Sequence, residues 1–232
     1  MVAAGNSTPA DRGRRRPVGR RAGLSLQGIV DAARSLGPDT DALTVQAVAD
    51  KLGVDRKAVR HHVSDRDTLL RLMAHEAFAE NAPDLGLPAD APWQEVVRRY
   101  AHAFADAVIA TGALAEHLRL DSQLSADLGH PIEAVSQALT DAGIDDASAL
   151  RALALLSNIC MAYGQDVVYV TCGGDRPRRA MARRTLEGRE HELSTFARLV
   201  DLDIDTYDRT QLDLSIEVFV HGIEAVLLRG KP

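Results

Sequence analysis

The sequence predicts an all-α chain, with a small three-helix unit followed by a larger helical domain. Two observations predict it. Apolar residues recur at i, i+3, i+4 and i+7 in segment after segment, which is the period of a helix with one buried face. Only 4% of the 232 residues are aromatic while 46% are hydrophobic, and the alanine-rich runs favour helix over sheet. No stretch approaches 18 consecutive apolar residues, so no membrane span is expected. The N-terminus has no apolar core of a secretory signal. Cys160 and Cys172 would lie ~18 Å apart on one helix, too far to bridge, which suits a reducing cytoplasm.

Residues 1–23 are polar, contain Gly and Pro and have no periodicity, so a disordered arm is expected. The first helix begins near Ser25, runs through Ile29, Val30, Ala33 and Leu36, and stops at Gly37-Pro38. In the segment LTVQAVADKLGVDRKAVRHHV, residues 43–63, Val45, Val48, Ala49 and Leu52 form one apolar stripe. Thr44 stands at an N-cap position and Gly53 where the helix must end. Asp55 caps the next helix, with Val54 and Val59 at the positions of a hydrophobic staple. Val59 and Val63 then face inward, and Arg56, Lys57, Arg60 and His61 face outward. Two short helices joined by a Gly-containing turn, the second with a cationic face, have the layout of a helix-turn-helix. The competing reading is an ordinary solvated helical hairpin.

The stretch from Leu43 through LGVDRKAVRHHVSDRDTLL to Leu70 resembles the DNA-binding region of the tetracycline-repressor (TetR) family of bacterial regulators. In that family a small residue, an aliphatic one, Tyr, a variable position, His or Tyr, and Phe follow the turn. Here the run is Ala58, Val59, Arg60, His61, His62, Val63, followed by Arg66 and Leu69-Leu70. The match covers roughly residues 24–72, and Arg60 stands where the family commonly has a DNA-touching Tyr. The resemblance implies a helix-turn-helix DNA-binding domain over 24–71 and an effector-binding and dimerisation domain over 72–232. It also implies that His62 and Arg66 contact the DNA backbone, while Thr44 and Gln46, at the start of the preceding helix, are expected to approach the groove edge or a phosphate. A homodimer on a palindromic double-stranded operator and a small-molecule effector are the implied partners, and no cofactor or metal is implied.

Charge is distributed with a polarity. Residues 1–23 carry a net +5, residues 24–71 a net of zero and residues 72–232 a net of −11. An acidic body is repelled by DNA and a basic end is attracted to it. Arg14, Arg15, Arg16, Arg20 and Arg21, directly ahead of the first helix, are therefore candidates for the minor groove. A solvated charged tail is the alternative.

A fourth helix is expected from Ser64, with Ser64-x-x-Asp67 as a capping box, to about Glu80. Asn81 to Pro92 is a connection. A helix then starts at Pro92 and carries Trp93, Val96, Val97, Tyr100, Ala101, Phe104 and Val108 on one face, breaking at Thr111-Gly112. Shorter helices are expected over about 113–125 and 131–142. Asp146 to Cys172 is apolar nearly all round and is expected to be buried on several sides. Residues 173–187, with five arginines, are expected to be a surface connection, and a last helix runs from Asp208 to Leu228. The 146–172 and 208–228 helices are the candidates for a dimer interface.

Polar or aromatic side chains on apolar helices are the candidates for an effector pocket: Trp93, Tyr100, Phe104, His117, Asn158, Met161, Gln165 and Tyr169. For each singly, a plain core or local role competes. Asn158 and Gln165 stand out, because two amides on a buried helix need partners. Catalytic motifs are absent. His75-Glu76 lacks a second His one turn on, where Ala79 stands, and there is no C-x-x-C, phosphate-binding glycine loop or G-x-S-x-G. The expected function is a transcriptional repressor released by a small molecule, and not an enzyme. A ligand-binding or protein-interaction module without specific DNA binding, and a small helical enzyme, are the alternatives.

Overall fold

A computed structural model describes residues 24–37, 42–81, 91–120 and 129–229. Among these residues there is helix and no strand. The basic arm lies outside them, with Arg14, Arg15, Arg16, Arg20 and Arg21. The helices, in order, are Leu26–Arg34 (α1), Val45–Leu52 (α2), Arg56–Arg60 (α3), Arg66–Glu80 (α4), Trp93–Ala110 (α5), Gly129–Asp141 (α6) and Asp146–Thr171 (α7). Pro177–Leu186 (α8), Ser194–Val200 (α9) and Arg209–Arg229 (α10) follow. A 3₁₀ helix, Gly112–His117, lies between α5 and α6.

Two apolar cores form, and their border falls inside α4. Ile29, Val48, Ala49, Val59, Val63, Leu69, Leu70 and Met73 belong to the first. The second begins with the next residue, Ala74, and includes Phe78, Tyr100, Phe104, Leu156, Leu212 and Ile216. The helix period explains the division. α4 turns the face bearing Leu69, Leu70 and Met73 to the N-terminal helices, then continues into the body with Ala74 and Phe78.

The centre of the body is the pairing of α5 with α7, which run parallel: Tyr100 meets Ser157, and Ala105 and Val108 meet Gly164. Gly164 makes the close approach possible. A Cβ there would sit 2.6 Å from Val108 Cβ and 3.2 Å from the Ala105 carbonyl oxygen. Gly164→Ala is therefore expected to destabilise the protein by ~1–3 kcal/mol through overpacking, outweighing the helix-propensity gain of up to ~1 kcal/mol. Urea unfolding measures it, and a stabilised variant would contradict the packing described. α10 runs antiparallel to α5, tied by Arg98 to Glu217 at 2.7 Å, Arg209 to Asp106 at 2.9 Å and Gln94 to Glu224 at 3.2 Å.

Four expectations are corrected. The α4 cap is Asp65, whose carboxylate accepts from Thr68 N at 2.7 Å. Ser64 stands one residue too early, and its hydroxyl bonds Asp65 and Thr68 instead. The helix expected over 113–125 is a single 3₁₀ segment ending at His117, and residues 121–128 lie outside the described ones. Residues 173–187 are not wholly a connection, because Pro177 at the first turn starts α8, and Ala182 and Leu186, one turn apart, bury its inner face.

α7 is the fourth correction. Its inner face, with Ala149, Leu156, Ser157, Cys160, Gly164 and Val168, is buried, but a second stripe of Leu150, Ala154, Leu155, Asn158 and Ala162 is exposed. By length and composition α7 alone among the described helices is apolar enough to cross a membrane, with a mean hydropathy of 1.2 over 18 residues. The two stripes account for that, one facing the core and one lying open.

Candidate nucleic-acid interface

The N-terminal unit is assembled as the sequence suggests. Ser25 Oγ accepts from Gly28 N at 3.1 Å and starts α1. Thr44 Oγ1 accepts from Ala47 N at 3.1 Å and starts α2. Gly53 ends α2 with a φ of 65°, a left-handed conformation that glycine adopts without strain. Asp55 Oδ1 then accepts from Lys57 N at 2.7 Å to start α3. With five residues α3 is far too short to be stable alone, and the burial of Val59 and Val63 holds it. His61 and His62 follow on the turn that closes the helix, where His62 N and Val63 N both donate to the Val59 carbonyl at 2.9 Å.

This arrangement leaves Arg56, Lys57, Arg60, His61 and His62 all exposed at one end of the molecule. None of Arg56, Lys57 and Arg60 is in an ion pair among the described residues. In the body, by contrast, arginines are commonly matched, as Arg98 with Glu217, Arg99 with Glu95 and Arg176 with Asp205. Unpaired, exposed guanidinium and ammonium groups keep their full attraction for phosphate.

Thr44 and Gln46 are exposed at the start of α2, with Gln46 Nε2 donating to Asp50 Oδ1 at 2.8 Å. Arg66 is placed differently from the other candidates. It is half-buried, and its Nε donates to the Leu43 carbonyl at 3.1 Å. It thus clamps the start of α4 to the residues ahead of α2.

α4 connects this end to the body through polar contacts that periodicity does not reveal. Arg34 on α1 grips Glu80 with both guanidinium nitrogens, one at 2.8 Å, and Gln27 bonds Glu76. On the other side His75 Nε2 meets the Arg119 carbonyl at 3.0 Å, so Nε2 carries the proton. The segment it meets is held from behind by Gln165, whose Nε2 donates to the carbonyls of Ala115 at 2.8 Å and Leu118 at 3.3 Å.

Two carboxylates in this region lie below their ordinary values. Asp65 is lowered mainly by the Thr68 amide it caps, and Glu80 mainly by its hydrogen bond with Arg34. A depressed folded-state value adds stability above the unfolded value, and that contribution is lost as pH falls through the folded one. The N-terminal unit is therefore expected to loosen as pH falls below the ordinary carboxylate range and through the lowered values of both groups. Circular dichroism melts from pH 6 to 3 should show the drop, and Glu80→Gln should make it smaller.

The effector candidates separate by environment. Tyr100 and Phe104 are fully buried core residues, Met161 is nearly so, and Trp93 packs at the core's edge. Burial pushes the Tyr100 phenol up to about 12 and the Cys160 thiol up to about 12, leaving both protonated and inert. His117 pairs locally with Glu116 at 3.4 Å. Asn158 is exposed on the open stripe of α7, not buried as expected. Gln165 and Tyr169 line a cleft of about 550 Å³ with Glu116, Arg119, Asp166 and Cys172. Tyr169 lies against Gly174, where a Cβ would come 2.5 Å from a ring carbon. Among the described residues no group of three or more His, Cys, Asp or Glu is placed to hold a metal ion.

No family model matches the chain. It is 34% identical to the class D tetracycline repressor protein of Escherichia coli over 89 residues, which is 37% of this chain. That match spans 40% of the repressor's length. In structure the chain is similar to apo ActR of Streptomyces coelicolor, with a TM-score of 0.68 and 20% identity, covering 91% of this chain and all of that one. It is also similar to BioQ, known from Mycobacterium smegmatis, bound to its double-stranded DNA operator. There the TM-score is 0.56 at 19% identity, covering 87% of this chain and 99% of BioQ. The chain thus shares a segment in sequence with the tetracycline repressors, and it has the fold of ActR, a TetR family protein, along nine tenths of its length.

Proposed function

We propose that the protein is a DNA-binding transcriptional regulator, a repressor that a small molecule releases from its operator. The observation that carries this reading is the exposed, unpaired cationic face of α3, built on a capped and packed helix-turn-helix. In this reading residues 24–71 form the DNA-binding domain and 72–232 the effector-binding and dimerisation domain. Arg56, Lys57, Arg60 and His61 enter the major groove, Thr44 and Gln46 approach its edge, and His62 contacts a phosphate. Arg66 holds the unit together through Leu43, and any backbone contact it makes is secondary to that role. Arg14, Arg15, Arg16, Arg20 and Arg21 extend the footprint into the minor groove. BioQ, solved with its operator, and ActR, solved with actinorhodin, support both halves of the reading.

The dimer is expected to form through the open stripes of α7 and α10. Leu150 and Leu155 on α7, and Leu214, Val218 and Val226 on α10, are large apolar side chains between 48% and 69% exposed in the single chain. Asn158 and Ala162 continue the α7 stripe, which gives Asn158 a partner subunit rather than an effector to bond. A two-fold dimer also meets the need of a helix-turn-helix for two half-sites, about one DNA turn or a multiple apart. The effector is placed in the cleft of Gln165 and Tyr169, because Gln165 holds the segment that His75 ties to α4.

A gel shift with the DNA upstream of the protein's own gene tests the central claim. Specific retention should weaken with salt, with a log–log slope of about 0.9 per phosphate contacted. Retention no stronger than that of random DNA would favour the module that has lost specific binding. Catalysis is not expected, and the cytoplasm is the compartment the reading requires.

A further inference from the structure

We infer that Arg34 is a positioning residue for DNA binding. With Gln27, Glu76 and Glu80 it forms a latch that locks α1 onto the body half of α4 and so fixes the angle at which α3 is presented. The role in DNA binding rests on the repressor reading, and the latch itself does not. Three observations support it. The first is where the latch sits. The two cores divide between Met73 and Ala74, and Phe78 already belongs to the body. Glu76 and Glu80 lie beyond that border, yet their partners are on α1, a helix of the first core. α1 thus reaches past its own core to hold α4 where α4 is packed in the body.

The second is that the hold has a direction. Gln27 and Arg34 stand two turns apart on one face of α1, and Glu76 and Glu80 one turn apart on α4. Gln27 bonds Glu76, while Arg34 grips both oxygens of Glu80 and lies 3.5 Å from Glu76 Oε2. Two attachments spaced along a helix fix its direction as well as its distance. Ile29 and Ala33 on α1 share one core with Val48, Val59 and Val63, so the direction of α1 is also that of α3. A bidentate arginine within a network is the form of ion pair that holds geometry even near the surface.

The third is a buried charge. Glu76 Oε2 is buried and has no hydrogen-bond partner among the described residues. The Arg34 guanidinium is the cation beside it. Without Arg34 that carboxylate oxygen is left uncompensated, a cost that swinging α1 away would relieve.

Distances between spin labels at Lys51→Cys on α2 and Glu133→Cys on α6 test the geometry without DNA. Both positions are exposed, Cys172→Ser removes the exposed thiol, and labelled chain is diluted with unlabelled chain. The parent should give a narrow distribution, which Arg34→Gln and Glu80→Gln should each broaden or shift. The two side chains are 40% and 51% exposed, so both variants should fold, as circular dichroism would verify. A merely stabilising contact would leave the distances of the folded variants unchanged. Both variants should also weaken operator binding about fivefold, as expected if the competent arrangement falls to about a fifth of the population, with the salt slope unchanged. Charge alone predicts otherwise, since losing the Glu80 anion should tighten binding to DNA. The double variant should bind no more weakly than Arg34→Gln alone, because the contact is lost only once. Parent-like distances in both variants would overturn the latch. Operator affinity that either variant retains, or a slope flattened by Arg34→Gln, would overturn its role in positioning. If the parent fails the gel shift, the repressor reading and the purpose of the latch fall together, while the distances still decide its geometry.

Discussion

Phe104→Ala is expected to destabilise the protein by ~3–5 kcal/mol, the cost of deleting a buried aromatic side chain and leaving its cavity. Phe104 is 2% exposed and lies between two other rings, with centroids 5.1 Å from Phe78 and 5.6 Å from Tyr100. Phe78 is on α4, Phe104 and Tyr100 are on α5, and Tyr100 reaches Ser157 on α7 at 3.3 Å. The cluster therefore ties three helices, and the loss should be felt across the body as a lower urea midpoint with an unchanged slope. The experiment also separates two roles for this residue. A side chain lining an effector pocket already faces open space, and its truncation should cost ~1 kcal/mol or less. A small loss would return Phe104 to the effector contacts and weaken the case for the Gln165 cleft.

The second large effect is expected on DNA. Arg60→Ala should weaken binding to the specific site by ~1–3 kcal/mol, roughly five- to 150-fold, if the guanidinium reads a base edge. The loss should be concentrated at one position of the half-site, with binding to random DNA little changed. Lys57→Ala should behave differently if its ammonium meets a phosphate, lowering affinity for all sequences alike and flattening the salt slope by about 0.9. Arg60 is exposed, and the buried Val59 and Val63 that hold its helix are untouched by the change, so stability should not confuse the result. A variant that binds operator and random DNA just as the parent does would remove α3 from the major groove.

Much of the N-terminal unit is legible in the sequence because its signals are local. Thr44, Gly53 and Asp55 act on residues two to four positions away, and each sits at the helix end expected of it. The outward set Arg56, Lys57, Arg60 and His61 follows from the same short period. The one local misreading, Ser64 for Asp65, arises because two adjacent residues are both good caps, and it is Asp65 that takes the Thr68 amide while Ser64 bonds side chains. The body is legible mainly as a set of helices. Gln165 is an amide that needs partners, and it has them in the Ala115 and Leu118 carbonyls, 47 to 50 residues away. The same rule misplaces Asn158, because an apolar helix reads alike whether its second stripe meets its own chain or another.

The all-helical class, the helix-turn-helix and the polarity from basic arm to acidic body follow from the order of residues alone. Caps, turn glycines and apolar period act within a few residues of the chain, and charge needs no coordinates. Which apolar side chains are core and which lie open depends instead on what another segment brings to a face, so it is settled by packing. Packing makes Tyr100 and Phe104 part of the core and leaves α9 uncovered. It also joins Arg34 to Glu80, His75 to Arg119 and Gln165 to Ala115, contacts 44 to 50 residues apart. No local period records such pairings, because they exist only where the helices meet.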